Sequence, residues 1–164
     1  WNPRAELKTS REYGFGIGQI TTAYRADGSV RFNKFEELRA AHASLRDWRW
    51  ENRYDIRYQF IALVEMDKAI YARIKDASTV LDRLAFALSA YNGGETGVMQ
   101  DRTLCRNTVG CDPNSWFGNV EKTSLKSKVK WDGYGQSAYQ INRSYVYNVL
   151  FVRREKYVEH MEPQ

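Results

Sequence analysis

A mainly α, single-domain fold is what this sequence predicts, on three observations. Apolar residues recur at three- and four-residue spacing in two long stretches, 54–75 and 79–94, as they do in amphipathic helices. Strand-like alternation of apolar and polar residues is scarce. The chain has 164 residues, 43% of them hydrophobic and 27% charged, so it can form one domain, 1–164, around a hydrophobic core.

The first third of the chain contains signals for two helices. A short helix is expected to begin near Ile17 and to end before Asp27-Gly28, which is a turn dipeptide. Asn33 is a candidate N-cap, with Glu36 three residues later as in a capping box. The helix after this cap carries Phe35, Leu38, Ala41 and Leu45.

The two longest apolar patterns lie in the middle of the chain. The clearest helix is predicted from about Tyr54 to Lys75. Its apolar stripe consists of Ile56, Phe60, Leu63, Val64, Ile70 and Ile74. Thr79 and Asp82 form a second capping-box candidate, and the helix that follows is expected to end at Gly93-Gly94. Its apolar face consists of Leu81, Leu84, Ala85 and Leu88.

The last third is predicted to contain an insertion and a final helix. Residues 95–136 are polar and are expected to be irregular, with a short helical stretch near Trp116–Lys122 and a turn at Gly133–Gly135. The final helix is predicted from about Ser137 to His160.

Cys105 and Cys111 enclose five residues and favour a local disulfide. A metal site would need more ligands nearby, and neither His42 nor His160 is close in sequence, so no metal and no other cofactor is expected. A disulfide would indicate an oxidising compartment. The alternative is a pair of unpaired thiols in a cytosolic protein.

The net charge of +5 is compatible with nucleic acid, an anionic membrane, an acidic wall polymer or simply a basic surface. The basic residues are spread along the chain, and no nucleic-acid-binding fingerprint accompanies them, so no nucleic-acid partner is predicted. The densest group is Lys122, Lys126, Lys128 and Lys130. No apolar run approaches the roughly 20 residues that span a bilayer, so no membrane span is expected.

Three short segments carry the candidate site residues. In the first, Gly14, Gly16 and Gly18 permit positive φ and close approach of a ligand to the backbone, or simply form a tight turn. The Gln19 amide that follows can orient an acetamide or a hydroxyl of a substrate, or make a structural hydrogen bond. This segment is not a dinucleotide fingerprint, because no strand precedes it and no βαβ unit follows.

The other two segments lie in predicted helices. Tyr91 and Asn92 come at the end of a helix and can offer a hydroxyl and an amide to a ligand, although Asn92 also suits a helix cap. Tyr145 shares an inner stripe with Ile141 and Val149, and a plain core tyrosine is the alternative.

Together these segments resemble the soluble lytic transglycosylases. Ser10–Ile20 is similar to that family's Ser…Gly-Ala-x-Gly-Leu-Met-Gln segment, and its Gly-Phe-Gly-x-x-Gln core also resembles goose-type lysozyme. Ala90–Gly94 is similar to Ala-Tyr-Asn-x-Gly, and Arg143–Leu150 to Arg-x-Tyr-Val-x-x-Val-Leu. The resemblance implies a lysozyme-like fold. The substrate-binding residues that it implies are Ser10, Gly16, Gln19, Tyr91, Asn92 and Tyr145.

The family's catalytic Glu has no clear match in the chain. Trp1-Asn2-Pro3 matches the aromatic-Asn-Pro triplet that follows this Glu, so the resemblance implies a Glu just upstream of Trp1 and a chain truncated at its N-terminus. A variant that lacks the acid is the alternative. Glu6 is the fallback catalyst, although it is too close to Ser10 for the family spacing. Glu12 lies inside the turn.

The resemblance implies cleavage of the β-1,4 bond between N-acetylmuramic acid and N-acetylglucosamine in peptidoglycan, with formation of 1,6-anhydromuramic acid. Asp27, Asp55 and Asp132 are candidates for the second carboxylate that a hydrolytic muramidase or endolysin would use. A non-catalytic peptidoglycan-binding domain is a further alternative. The expected protein is a monomer that binds glycan strands in the periplasm or at the cell wall, with a bacterial or phage source.

Overall fold

A computed structural model describes residues 2–130 and 135–161 of the chain, apart from the side chains of 159–161. A four-stranded antiparallel sheet comes first and helices follow, so the fold is mixed α/β and mostly helical. The strands are β1 (Glu6–Lys8), β2 (Glu12–Phe15), β3 (Ile20–Tyr24) and β4 (Val30–Asn33). The helices are α1 (Lys34–Ala41), α2 (Ile56–Arg73), α3 (Val80–Gly93), α4 (Glu95–Arg106), α5 (Ala138–Tyr147) and α6 (Glu155–Met161).

Two compact units make up the chain, Trp1–Met66 and Asp67–Gln164. The first contains the sheet and α1, and the second contains α3 to α6. The assignment of 1–164 to one lysozyme-like domain stays a prediction.

The sheet corrects the prediction of a mainly α fold, although most of the chain is helical as expected. The four strands pair in chain order, β1 to β4. The short helix expected after Ile17 is wrong, because this segment is β3. Asp27-Gly28 closes the hairpin between β3 and β4, with Gly28 at φ +82°, and Asp-Gly is a strong hairpin signal. β-Branched Ile20, Thr21 and Thr22 suit a pleated strand better than a helix.

The core of the first unit packs beneath the sheet. Phe15 and Ile20 form a cross-strand pair, and both are buried with Phe35 of α1 and with Trp48. The predicted N-cap is confirmed, since the Asn33 side chain accepts a hydrogen bond from the Glu36 backbone N–H. α1 is shorter than predicted. Its end at Ala41 leaves Leu45 in a separate helical turn.

Helix α2 confirms the longest predicted helix but buries a different face. Ile56, Phe60 and Val64 of the predicted stripe are each about half exposed. Gln59 and Ala62 are fully buried instead. The Gln59 amide is satisfied by three backbone groups, those of Pro3, Ile17 and Arg53, so its burial is favourable despite its polarity. Hydrophobic periodicity cannot detect such a position.

Helix α3 has the predicted ends. The Thr79 side chain accepts a hydrogen bond from the Asp82 N–H, and Gly94 caps the C-terminus at φ +83°. The buried face is shifted from the prediction, because Leu81 and Leu84 are exposed. The positions that are buried instead include Asp82, Ala85, Phe86, Ser89 and Ala90.

Helix α4 corrects the prediction that 95–136 is irregular. The buried side of this 12-residue helix is formed by Val98, Asp101, Arg102 and Cys105, at helical spacing. Two of these four residues are charged, so the spacing of apolar residues does not reveal this helix. The predicted helical stretch near Trp116 is present as one turn, Trp116–Val120.

The C-terminal helix is present but interrupted. Ser137 and Gln140 form a capping box at the start of α5, and a wider helical turn, Asn148–Val152, separates α5 from α6. Residues 131–134, which contain part of the predicted Gly-Tyr-Gly turn, lie outside the described residues.

The predicted disulfide is confirmed. Cys105 and Cys111 are bonded, with their Cα atoms 5.3 Å apart. The bond ties the end of α4 to the loop after it, and it is consistent with an extracytoplasmic protein. In the described part of the chain, no helix is both long enough and apolar enough to cross a membrane.

Candidate functional site

The glycine-rich turn of the first unit is built around Gln59. Gly16 has φ +76°, and a Cβ atom at this position would lie 2.6 Å from the Gln59 Oε1 atom. That oxygen accepts a hydrogen bond from the Ile17 backbone N–H at 3.0 Å. Gly16 is therefore required by close packing as well as by its backbone conformation. This structural role explains Gly16 without a ligand.

Gln19 has an unusual environment for a residue in a turn. Its backbone has φ +47°, which is uncommon for a residue with a side chain. Its Nε2 donates a hydrogen bond to the Gly16 carbonyl at 2.8 Å, so the Gln19 amide has a structural role in the turn. Its Oε1 is buried and has no hydrogen-bond partner among the described residues. Strain and an unsatisfied acceptor occur together at many binding sites, so Gln19 stays a candidate ligand contact.

Ser10 lies at the opposite end of β2 from Gly16 and Gln19. It lines a cavity of about 600 Å³ on the sheet, together with Tyr13, Thr22 and Trp50. The first segment therefore does not bring Ser10 and Gln19 to one point. They flank a four-residue strand instead.

Glu6 is surrounded by hydrogen-bond donors. Its Oε1 accepts from the hydroxyls of Tyr13, at 2.7 Å, and Tyr54, and the Arg53 guanidinium lies 3.8 Å away. The Tyr54 and Tyr13 hydrogen bonds and the Arg53 charge lower the pKa of the Glu6 carboxyl below its ordinary value. These contacts favour the ionised carboxylate, whereas a general acid requires a raised pKa. The surroundings of Glu6 therefore oppose its fallback role as proton donor.

In the second unit, two predicted site residues from different segments meet. The rings of Tyr91, in α3, and Tyr145, in α5, stack with centroids 6.3 Å apart and planes 15° apart. Burial raises the pKa of both phenols, and the Asp67 carboxylate raises each pKa further. Asp67 is thus close enough for its charge to act on both tyrosines.

The pKa of Asp67 itself is raised by burial, from its ordinary value of 3.8 to about 6. A carboxyl with this pKa exchanges a proton near neutral pH, which suits an acid or a base in catalysis. Perturbed carboxyls of this kind occur preferentially at functional sites. Asp67, Tyr91 and Tyr145 therefore form the candidate functional site of the second unit.

Sequence reasoning missed Asp67, although a signal was present. Asp67 lies four residues after Leu63 and three before Ile70, so a carboxylate occupies the predicted apolar stripe of α2. Among the candidates for a second carboxylate, Asp27 accepts hydrogen bonds from Ser29 that lower its pKa. Asp132 lies outside the described residues.

Asn92 has a structural partner in α5. Its Oδ1 accepts from the Asn142 Nδ2 at 3.1 Å, and the Asn142 amide also bonds to Ser89. A Cβ at Gly93 would lie 2.7 Å from both the Asn142 Nδ2 and the Lys126 Cε. The Tyr-Asn-Gly segment therefore allows α3 and α5 to approach closely, which also positions the tyrosine pair.

A buried ion cluster fixes the loop between α4 and α5. Asp101 is 1% exposed, and its Oδ2 lies 3.0 Å from the Arg143 Nη2 and 3.1 Å from the Lys126 Nζ. Arg143 also donates to the carbonyls of Val120 and Thr123. The Arg of the third segment therefore has a structural role, because it holds this loop against α5.

The described residues contain no group of three or more His, Cys, Asp or Glu side chains that could hold a metal ion. No protein-family model matches the chain, and neither a curated protein nor a solved structure matches it.

Proposed function

We propose that this chain belongs to a peptidoglycan lytic transglycosylase that cleaves the N-acetylmuramic acid to N-acetylglucosamine β-1,4 bond and forms 1,6-anhydromuramic acid. The stacking of Tyr91 on Tyr145 beside Asp67 is the observation that carries the proposal. In the family that the three segments resemble, the tyrosine matching Tyr145 directs its hydroxyl at the catalytic carboxylate. A carboxyl near that phenol is what this resemblance leads us to expect.

Cleavage of a glycosidic bond requires a proton donor at the leaving oxygen. In a lytic transglycosylase the acetamide of the substrate stabilises the positive centre, and its own 6-hydroxyl attacks in place of water. One protein carboxyl is then sufficient for this reaction. The resemblance gives Tyr145 the role of directing its hydroxyl at that carboxyl.

The disulfide supports an extracytoplasmic location for this chemistry. A periplasmic or wall-associated enzyme, of bacterial or phage origin, would meet peptidoglycan there. The net charge of +5 would favour binding to an acidic wall polymer.

Loss of turbidity of purified peptidoglycan tests the proposal. The assay uses the 164-residue chain and, in parallel, the chain as its gene encodes it. Tyr145→Phe keeps the ring stack but removes the hydroxyl, so we expect clearing to slow by about tenfold or more. Tyr147→Phe changes an exposed tyrosine of the same helix and is the matched control. Peptidoglycan left intact by both wild-type forms would contradict an enzyme and favour a non-catalytic glycan-binding domain.

A second candidate function is hydrolysis of the same bond by a muramidase, and the presence of Asp67 favours it. A hydrolase needs a second carboxylate to activate water or to act as a nucleophile, and the raised pKa of Asp67 suits a base at mildly acidic to neutral pH. If Asp67 activates water, Asp67→Asn will abolish products with reducing muramic ends. Asp47→Asn, at an exposed carboxyl, is the control. Reducing ends that persist unchanged in Asp67→Asn would refute this role.

A further inference from the structure

Four side chains form a row across the whole sheet of the first unit. The strand register pairs Lys8 with Tyr13, Tyr13 with Thr22, and Thr22 with Asn33. Directly paired residues point to the same face of a sheet. At the usual spacing between strands, the row is about 14 Å long, which is enough for a disaccharide.

The row lies where the core of the unit ends. The neighbouring pair on the same face, Phe15 and Ile20, is buried. Beyond it the face opens into the cavity of about 600 Å³, which is large enough for a small ligand. Trp50 borders the opening and is 43% exposed, with its ring held against Tyr13 at 6.0 Å and Phe15 at 5.6 Å between centroids. A partly exposed, fixed aromatic ring offers an apolar surface to the C–H face of a sugar.

Hydroxyl, amide and ammonium groups surround this aromatic surface. Ser10, Thr22 and Tyr24 contribute hydroxyls to the lining, and the Asn33 side chain contributes an amide. Within the part of the chain that the structure describes, Lys8 forms no ion pair. The Glu12 carboxylate, in contrast, lies 3.8 Å from Arg31. The groove lining therefore combines neutral hydrogen-bonding groups with two charged residues. Glu12 is paired with Arg31, whereas Lys8 has no ion-pair partner among the described residues.

This chemistry fits a saccharide that carries one carboxylate. A polyanion such as a nucleic acid would need several phosphate-binding cations, and Lys8 shares its surroundings with Glu6 and Glu12. A peptide would pair with a free strand edge, whereas this row lies on the sheet face. Hydroxyls around an aromatic ring suit a pyranose.

We infer that the sheet groove is a glycan-binding site that recognises, through Lys8, the free lactyl carboxylate of N-acetylmuramic acid in glycan strands without a peptide on this group, with a sugar ring packed on Trp50. The choice of this acidic sugar rests on the proposed peptidoglycan substrate. The site itself lies entirely in the first unit and does not include Asp67, Tyr91 or Tyr145.

Two disaccharides that differ in the lactyl group test the inference. The 164-residue chain, labelled with ¹⁵N, is titrated with N-acetylglucosaminyl-N-acetylmuramic acid and with di-N-acetylchitobiose, and amide shifts give the dissociation constants. We expect the muramic disaccharide to bind about fivefold more tightly, as for an exposed ion pair. The shifts should fall on the groove backbone, at Thr9, Ser10 and Thr22. Lys8→Met should remove this preference and leave chitobiose binding unchanged.

Lys122→Met removes an exposed lysine of the second unit and should leave both affinities unchanged. Equal affinity of the wild-type chain for the two disaccharides, a preference that survives in Lys8→Met, absence of binding, or shifts confined to other residues would each overturn the inference. The titration measures binding without cleavage. A chain that binds in the groove but leaves peptidoglycan intact would therefore refute the proposed enzyme and not the groove.

Discussion

Asp67→Asn is expected to stabilise the second unit at neutral pH and to leave its stability unchanged in acid. Burial raises the pKa of the Asp67 carboxyl from 3.8 to about 6. The Asp67 charge in turn raises the pKa of the Tyr91 and Tyr145 phenols. Above the folded-state pKa, the folded protein must ionise a carboxyl in a site that favours its neutral form. The unfolded chain ionises the same group freely.

The direction of this pH dependence follows from how many protons Asp67 binds in the folded and in the unfolded state. Between the unfolded pKa of 3.8 and the folded pKa of about 6, the folded Asp67 binds more protons than the unfolded one, so stability falls as the pH rises through this range. The shift would correspond to about 3 kcal/mol at 1.36 kcal/mol per pKa unit. Because Asp67 is only half-buried, solvent screening reduces this to about 1 to 1.5 kcal/mol.

Urea unfolding followed by circular dichroism, at about pH 4 and about pH 7.5, measures the effect. Asn keeps the shape of Asp but carries no titratable proton, so the variant should gain about 1 kcal/mol over wild type at the higher pH alone. Asp47→Asn, at an exposed carboxyl, should show no such pH-dependent gain. An Asp67→Asn variant no more stable than wild type at neutral pH would refute the argument, as would an Asp67 pKa near 4 measured by NMR.

Three further substitutions test the packing around the candidate sites, each by urea unfolding. Gly16→Ala should cost about 2 kcal/mol or more, because φ is positive and the new methyl group meets Gln59; a fully retained stability would contradict this. Asp101→Ala should cost about 3 kcal/mol or more by leaving two buried cations unpaired, and a loss below about 1 kcal/mol would count against the ion cluster. Replacing Cys105 and Cys111 by Ser should cost about 2 kcal/mol, and thiol titration of the denatured, unreduced wild type should find no free thiol.

The helix ends could be predicted from sequence because their signals are local. Asn33, Thr79 and Gly94 act on backbone groups within a few residues, so the side-chain types at those positions are sufficient evidence. The strands could not be predicted in the same way. They have three to five residues each, too few for a period of two to accumulate, and Gly14 interrupts the second.

Buried polar residues account for most of the other errors. Gln59 in α2 and Asp101 in α4 occupy inward positions because backbone and ionic partners satisfy them, and those partners are distant in sequence. The candidate site, too, could be predicted only in part, because its residues are distant in sequence. Motifs identified Tyr91 and Tyr145, but the proximity of Asp67 to both depends on how three helices pack. The row across the sheet, likewise, depends on strand register.

Mass spectrometry of the muropeptides released from purified peptidoglycan tests the central proposal most directly. We expect products that lack one water and carry 1,6-anhydromuramic acid at their ends, with a yield that falls in Tyr145→Phe but not in Tyr147→Phe. Products that carry reducing muramic ends would contradict a transglycosylase and support hydrolysis. Absence of any released muropeptide, from the chain as its gene encodes it, would contradict cleavage altogether.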